Sequence, residues 1–427
     1  MTAGHSRPGP RSARVDLDRS SSDEQIIQVV TAWVEANVPR PWREAAPGGR
    51  AAIRAVRSRA DYKAWYPTFA DSGLAVATWP VAYLGLDLTP DQARVAESVL
   101  APFNLGRLNP LGLNSAAPAL FAHGSKAQRA RFLPPMVRND EAWCQLLSEP
   151  GAGSDLASLA TRAVLDGDEW VLNGQKVWTT WAHVSDLAVC LARTDPSRRK
   201  RHGLTYFIVD LHAPGVDVRP LRHIGGEVDF NEVFLDDVRV PDGHRIGAVG
   251  DGWRVAGSSL AGERQMVSGS GSGGVDRIGG AGVDRLLPRA RELGRADDPV
   301  VRQRLMAAYA EERVRDWTNR RVRATIRAGG TPGPAASIGK VHQGTLNQQT
   351  QMVAADLLGA GATAWERGDD YPDNMPLEVK GMLRSRANTI EGGTSEVNKN
   401  ILGERVLGLP REPDPWAEVA WEEIPRS

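Results

Sequence analysis

The stretch at residues 170–180, WVLNGQKVWTT, decides the fold class of this 427-residue chain. Its alternating apolar residues surround Asn173-Gly174. An Asn-Gly pair between two alternating runs predicts a β-hairpin, because both central residues of such a turn need a positive φ. Further strand-like runs follow at spacings of about 8 to 12 residues, namely residues 187–191, 204–211 and 233–240. The middle of the chain is therefore predicted to be a β domain.

Helical patterns flank this β region on both sides. From residue 20 to about residue 140, apolar residues recur at spacings of three and four, as at Ile26, Val29, Val30 and Trp33. The same period returns at Asp251 and continues nearly to Leu407. A glycine-rich stretch at residues 269–282 interrupts it, and we interpret that stretch as a flexible linker.

These patterns divide the chain into a tail and three domains. The tail, residues 1–24, is expected to be disordered rather than an organelle transit peptide, because its prolines interrupt any amphipathic helix. An N-terminal helical domain is predicted at 25–141, a middle β domain at 142–250 and a C-terminal helical domain at 251–427. Because strands and helices do not alternate, the pattern favours an α+β multidomain fold over a doubly wound parallel sheet.

Composition narrows the function classes. The chain has 52 lysine and arginine residues and 52 aspartate and glutamate residues, so its formal net charge is zero. It therefore lacks the positive charge that favours binding to nucleic acid or anionic lipid. Two cysteines, Cys144 and Cys190, are too few for a disulfide framework, which indicates a reducing compartment and a cytoplasmic protein. The most apolar stretch, residues 73–86, is shorter than the roughly 20 residues that a membrane span needs. The eight histidines show no metal-ligand spacing, so we predict no metal site.

The loop at residues 149–155, EPGAGSD, is the first candidate binding site. Its two glycines allow backbone N–H groups to turn toward an anion such as a pyrophosphate. It is not a dinucleotide fingerprint, since Leu156 stands where the third glycine belongs. An ordinary Pro-Gly turn capped by Ser154 and Asp155 explains the same residues equally well.

Trp178 and Thr180 form the second candidate, a flat ring two residues from a hydroxyl. Such a pair suits a flavin. The alternative is that Trp178 belongs to the core and Thr180 only continues the strand, as aromatic residues in sheets usually do.

Glu263 is the third candidate. At 100° per residue it falls within about 60° of its apolar neighbours on a helix, which are Ala256, Leu260 and Val267. A carboxylate partly removed from water has a raised pKa and becomes a better general base near neutral pH. A salt bridge to an arginine of a neighbouring helix is an equally good explanation.

A second carboxylate, Glu391, lies in residues 388–396, NTIEGGTSE. Thr394 is predicted to be the N-cap of the helix that follows. The free N–H groups of that helix would attract a polarised carbonyl or a phosphate. A capped loop without function is the alternative.

Taken together, these residues resemble the acyl-CoA dehydrogenase family from about residue 25 to Pro410. Four motifs carry the resemblance: residues 147–155 (LSEPGAGSD), 173–180 (NGQKVWTT), 230–238 (FNEVFLDDV) and 393–396 (GTSE). The resemblance implies an N-terminal helical domain, a middle β-barrel domain and a C-terminal four-helix-bundle domain. It implies FAD, bound non-covalently between the β domain and the C-terminal helices.

The implied reaction is α,β-dehydrogenation of an acyl-CoA thioester to the trans-2-enoyl-CoA, with electrons passed to an electron-transfer flavoprotein. The resemblance implies a flavin-binding set, namely Leu147, Ser148, Gly153, Ser154, Trp178, Thr180, Thr394 and Glu396. On the substrate side it implies Ser154, Arg264 and Gly392.

The catalytic base departs from the family's common Tyr-Glu-Gly-Thr pattern, because this chain has an extra glycine. Either Gly392 or Glu391 then falls at the catalytic position. Some branches place the base immediately before an arginine on the first helix after the β domain, and Glu263-Arg264 matches that placement. We favour Glu263 and keep Glu391 as the alternative.

The family's Arg-x-x-Phe-Gly loop is replaced here by residues 269–282 and 294–299, and its Gln-x-x-Gly-Gly run appears as residues 356–361 (DLLGAG). Both departures leave the contacts to the adenosine diphosphate half of FAD open. They resemble the actinobacterial branch that acts on bulky acyl-CoA thioesters such as those of steroids. The family implies a homodimer or homotetramer, and this branch also includes heteromers. Alternatives on the same fold are an acyl-CoA oxidase, a flavin monooxygenase, or a non-catalytic partner subunit of a heteromeric dehydrogenase.

Overall fold

The computed structural model describes residues 14–267, 282–328, 330, 333–334, 337–366, 368 and 374–425, with the backbone alone at 261–267 and 326–327. The predicted linker at 269–282 therefore lies outside the described residues, except for Gly282. The chain divides into two compact units. The first runs to Trp143 and includes Ser185–Leu187, and the second comprises Cys144–Val184 and the chain from Ala188 onward.

The first unit is helical, as predicted. Its α-helices are α1 Asp23–Asn37, α2 Arg40–Ala45, α3 Gly49–Val56, α4 Arg59–Asp71, α5 Pro90–Leu100, α6 Ala117–His123 and α7 Lys126–Arg138. Four of them begin with a capping box, in which a Ser or Thr side chain and the residue three positions later satisfy each other's backbone N–H groups. The capping residues are Ser22, Ser58, Thr89 and Ser125.

The chain is packed before α1, within the tail that we predicted to extend to residue 24. Val15 and Leu17 are buried, and the Val15 N–H donates to the Ser72 carbonyl at 3.2 Å. Val15 and Leu17 are only two alternating apolar residues, and so short a run gives no helical pattern in the sequence. This part of the predicted tail is thus ordered, with Val15 and Leu17 buried and a turn at Arg19-Ser20.

The middle region forms one eight-stranded sheet. Its strands are β1 Trp143–Leu146, β2 Arg162–Asp166, β3 Glu169–Thr180, β4 Leu187–Arg193, β5 Leu204–Asp210, β6 Val216–Leu221, β7 Phe230–Pro241 and β8 Arg245–Ile246. The order is β6-β7-β3-β2-β4-β5-β8, with β1 paired to β4. The three additional strands that the sequence predicted are confirmed as β4, β5 and β7.

The predicted hairpin turn at Asn173-Gly174 is wrong. β3 runs without interruption through both residues, and the turn lies at Gly167-Asp168, where Asp166 pairs with Glu169. Gly167 has a φ of 66° at the first position of this two-residue turn. Gly174 instead marks a register shift against β7, and a Cβ on it would lie 2.4 Å from the Thr161 hydroxyl oxygen.

Helices return after the sheet and confirm the α+β multidomain fold class. They are α8 Gly252–Val267, α9 Val283–Glu292, α10 Pro299–Arg327, α11 Ser337–Leu357, α12 Leu377–Arg384 and α13 Ser395–Arg405. Apolar side chains of α9, α10 and α11 share one core cluster, formed by Leu286, Ala290, Val301, Leu305, Val353, Ala354 and Leu357. Among the described residues, no helix has both the length and the hydropathy needed to cross a membrane.

Candidate functional site

A buried ion pair between Lys176 and Glu149 fixes the start of the glycine-containing loop, residues 149–155. The Lys176 ammonium lies 2.9 Å from Glu149 and also donates to the Leu147 and Leu191 carbonyls, at 3.1 and 2.8 Å. Glu149 accepts the N–H groups of Ala160 and Thr161 at 2.6 and 2.9 Å. Burial raises the pKa of Glu149, but the Lys176 charge and the hydrogen bonds outweigh it, so this pKa lies below its ordinary value. The backbone at Leu147 is therefore held from inside the sheet.

In the loop above this pair the Pro-Gly turn is present, and binding of an anion stays a prediction. Glu149 and Ala152 exchange two backbone hydrogen bonds, at 3.1 and 3.0 Å, so the tight Pro-Gly turn is present. Yet a Cβ added at Gly151 or Gly153 would meet no atom within 4 Å, and neither residue has a positive φ. Neither packing in the described chain nor backbone conformation requires these glycines. The open space beside them, with Ser154 exposed, fits a phosphate group.

Trp178 is not a core residue, so that alternative is wrong. Its φ is 59°, which is rare for a bulky side chain, and 56% of its surface is exposed. The cause is a break in the β3–β7 register between Lys176 and Thr179. The ring packs edge-on against Phe230, with centroids 5.7 Å apart, and Phe230 pairs with Thr180 across the strands. A flat ring is thus presented outward close to the half-buried Thr180.

A second tryptophan with a left-handed backbone, Trp181, ends the same segment with a φ of 58°. Its backbone N–H donates to the Asp229 carbonyl at 2.8 Å, and its indole N–H lies 3.4 Å from the Asp229 carboxylate. Backbone strain of this kind persists where the surrounding structure holds it, and it clusters at functional sites. Residue types alone gave no signal for it.

The sequence also missed a cluster of His223, Glu227 and Asp229, whose ligand atoms lie within 4.8 Å of one another. The Gly225 N–H donates to His223 Nδ1 at 3.0 Å, so a neutral ring carries its proton on Nε2. That nitrogen faces Glu227 and Asp229 at 3.6 and 3.7 Å. A metal would require Nε2 without its proton, and the Lys380 ammonium already lies 2.6 Å from Glu227. The arrangement therefore suits an ion-pair network better than a metal site.

Glu391, the alternative base, is engaged by its own neighbours. Arg384 donates to both of its oxygens, at 3.3 and 3.0 Å, and the Asn388 amide adds a bond at 3.1 Å. The Arg384 guanidinium also lies 5.7 Å from the Phe230 ring. A bidentate pair of this kind fixes the carboxylate in place.

The residues after Glu391 make a sharp turn into α13. Gly392 and Gly393 have φ values of 63° and 87°, a conformation that favours glycine. The Thr394 side chain accepts the Val397 N–H at 3.1 Å, which confirms it as the N-cap, and Glu396 is exposed in the first turn. The start of this helix therefore offers both N–H groups and a hydroxyl to a ligand.

Glu263 and Arg264 lie on α8, the first helix after the sheet, but their side chains are outside the described residues. At 100° per residue, position 263 continues the face of Ala256 and Ser259. Both of these residues are fully buried, and the Tyr206 hydroxyl is 2.9 Å from the Ser259 hydroxyl. The helix face that carries position 263 is thus packed against the sheet over its first turns.

Comparison with known proteins agrees with this geometry. The chain matches the models of the acyl-CoA dehydrogenase N-terminal domain over residues 20–140, the middle domain over 144–238 and the C-terminal domain over 250–407. Acyl-CoA dehydrogenase IpdE1 of Mycobacterium tuberculosis is 38% identical over 358 residues, covering 82% of this chain and 88% of that protein.

Two solved structures extend the comparison. The one named "Tcur3481-Tcur3483 steroid ACAD" is 25% identical with a TM-score of 0.70, covering 91% of this chain and 98% of that chain. The ChsE4-ChsE5 complex from Mycobacterium tuberculosis is 27% identical with a TM-score of 0.68 and the same coverage. The three domain matches, in order along the chain, show that this protein belongs to the acyl-CoA dehydrogenase family of flavoprotein oxidoreductases.

Proposed function

We propose that this protein binds FAD and dehydrogenates an acyl-CoA thioester at Cα and Cβ, giving the trans-2-enoyl-CoA and passing electrons to an electron-transfer flavoprotein. The observation that carries the proposal is the outward-facing Trp178 ring close to Thr180, held in a strained backbone. When bound, FAD supplies the hydride acceptor for the substrate β-carbon. The remaining steps fall to residues of this chain.

The flavin-binding role is proposed for residues of the β domain and for residues at the start of α13. The backbone at Leu147 and Ser148 is held in place by the Lys176 ammonium and by the Val177 N–H, which donates to Ser148 at 2.9 Å. Trp178 offers a flat apolar face to a ring, and Thr180 offers a hydroxyl. A second set suits phosphate and ribose groups through N–H and hydroxyl donors, namely Gly153, Ser154, Thr394 and, through its backbone N–H, Glu396.

We propose Glu263 as the base that takes the α-proton, with Arg264 and Gly392 on the substrate side. The bidentate Arg384 pair supports this choice, because Glu391 would have to leave two donors before accepting a proton. Gly392 adds no side chain at the position where the family's common pattern has a glutamate. It therefore leaves room for the substrate there.

The decisive experiment is an anaerobic acyl-CoA titration of purified Glu263→Gln, with Glu391→Gln as the matched control. We expect both variants to keep their flavin. Loss of a positioned general base costs about 10²–10⁴-fold in rate, so Glu263→Gln should bleach the flavin at least 100-fold more slowly than wild type. Glu391→Gln should stay within about tenfold. Undiminished bleaching in Glu263→Gln together with loss in Glu391→Gln would reverse the assignment.

The substrate class that we propose is a bulky, ring-containing acyl-CoA. One similar structure carries the word steroid in its name, and the sequence lacks the family's usual adenosine-side motifs. A panel of thioesters from butyryl-CoA to a polycyclic side-chain acyl-CoA tests this. Rapid bleaching by the polycyclic thioester alone is expected, whereas rapid bleaching by butyryl-CoA alone contradicts the assignment.

A second candidate function is that of a partner subunit without its own flavin. The similarity to the ChsE4-ChsE5 complex favours it, because that structure joins two different chains. A visible spectrum of the chain purified alone distinguishes the two. Bound flavin supports the enzyme, and a colourless folded protein supports the partner subunit.

A further inference from the structure

Three consecutive backbone carbonyls just after the glycine-containing loop are held by two side chains from distant parts of the chain. Arg193 donates to the Ala157 and Leu159 carbonyls at 2.7 and 3.1 Å. The indole N–H of Trp421 donates to the carbonyl between them, that of Ser158, at 3.2 Å. The Arg193 guanidinium lies 4.1 Å from the centre of the Trp421 ring, so the two side chains also stack on each other.

Arg193 is itself part of the sheet. It lies on β4, is only 2% exposed, and its backbone N–H donates to the Thr161 carbonyl at 2.7 Å. A third side-chain bond reaches the Lys200 carbonyl at 3.2 Å, and the Lys200 ammonium lies 2.7 Å from Asp155. A buried guanidinium that donates to two carbonyls of the 157–159 segment fixes that segment to the sheet.

Trp421 is brought there by residues 418–424, near the end of the described chain, which we name the C-terminal strap. Its Ala420 bridges to Arg199, the Trp421 N–H donates to the Arg198 carbonyl at 2.9 Å, and the Glu422 N–H donates to the Pro196 carbonyl at 3.1 Å. Glu418 forms an ion pair with Arg199. The strap lies beyond residue 407, where the match to the family's C-terminal domain ends.

We propose that Trp421 and Arg193 are positioning residues for residues 157–159, and that the C-terminal strap, through the Ser158 bonds to Asp155, holds the adjoining loop at residues 151–155 ready for the FAD phosphate and the thioester. The inference rests on the proposed function, in which Gly153 and Ser154 meet those groups. Closing the guanidinium under an indole removes water from it, which strengthens its bonds to the carbonyls. Opening the strap returns those carbonyls to water and loosens the loop.

The test uses the full chain with Trp421→Ala, and Trp416→Ala as the matched control. Trp416 precedes the strap and is 41% exposed. We expect Trp421→Ala to raise the FAD dissociation constant about tenfold, the size of a cation–π contact partly removed from water. Amide hydrogen exchange at residues 156–161 should also quicken, with β3 unchanged. Trp416→Ala should match wild type in both measurements.

Hydrogen exchange separates this inference from the proposed function. A wild-type chain that binds no FAD would refute the function, yet faster exchange at 156–161 in Trp421→Ala would still support the strap. Equal exchange and equal FAD affinity in the two alanine variants would overturn it. If Trp421→Ala does not fold, Trp421→Phe decides, because it keeps a ring over Arg193 and loses the bond to Ser158. Faster exchange supports the inference, and unchanged exchange contradicts it.

Discussion

Lys176 uses all three ammonium protons inside the protein, on Glu149 and on two carbonyls. Removing one partner of a buried pair leaves the other charge without compensation, which costs on the order of 3–5 kcal/mol. We therefore expect Lys176→Met to lower the free energy of unfolding by that amount in urea denaturation. The matched control is Lys200→Met, whose partner Asp155 is largely exposed, with an expected loss below about 1 kcal/mol. Equal losses would mean that burial of the pair has no energetic effect.

The lowered pKa of Glu149 predicts that the free energy of unfolding depends on pH. Its folded-state pKa lies below its ordinary value of 4.5, so its stabilisation is complete above pH 4.5 and is lost as the pH falls through the folded value. We expect the difference in free energy of unfolding between wild type and Glu149→Gln to be largest at neutral pH and to shrink below pH 4.5. The exposed Glu412→Gln serves as control and should show no such trend. A difference independent of pH would contradict the assigned ion pair.

At the scale of elements, two glycines in the same domain have opposite roles. A methyl group on Gly174 in β3 would overlap Thr161, and overpacking of this kind costs about 1–3 kcal/mol. A methyl group on Gly153 meets no atom within 4 Å, so its effect on stability should stay within about 0.5 kcal/mol. We expect Gly174→Ala to unfold at lower temperature and Gly153→Ala to keep its melting temperature.

The Gly153→Ala variant also tests ligand binding separately from stability. Gly153→Ala fills the space that we assign to a phosphate, so it should weaken FAD or acyl-CoA binding in equilibrium titrations although its stability is unchanged. If Gly153→Ala bound FAD and acyl-CoA with wild-type affinity, the loop would not be part of the binding site.

At the scale of the whole molecule, α10 exposes three large apolar side chains on one side, with Arg313 between them. Met306, Tyr309 and Trp317 are exposed, Trp317 to 63%, and at 100° per residue they fall within about 80° of one another. Patches of this kind indicate a protein interface. We expect a second copy of this chain to cover these side chains.

Trp317→Glu tests the interface by placing a charge at its centre. We expect the mass measured by light scattering to fall from that of a dimer or tetramer to that of a monomer. Val300→Glu is the control, because Val300 is equally exposed but lies about 120° from Met306 around the helix. An unchanged mass in Trp317→Glu would place the interface elsewhere.

The sequence by itself determined features that depend on neighbours a few residues apart. The capping boxes seen at the starts of four helices are of this kind, because Ser22, for example, accepts the N–H of the residue three positions later, although only the Thr394 cap was predicted. Thr394 was identified as an N-cap by the same local rule. The order of helices, strands and helices follows from period alone, and the four family motifs are contiguous stretches.

Only the tertiary structure decided what depends on residues far apart in the chain. Asn173-Gly174 is read locally as a turn, but Thr161 approaches too closely for any side chain at Gly174, and pairing with β7 keeps β3 continuous. Trp178 faces outward because of a register break that no local pattern encodes. Glu391 is engaged by Arg384, and Arg193 is covered by Trp421 from 228 residues further along the chain. Burial and ion pairing are set by which distant segments meet in the fold, and a linear pattern does not contain that information.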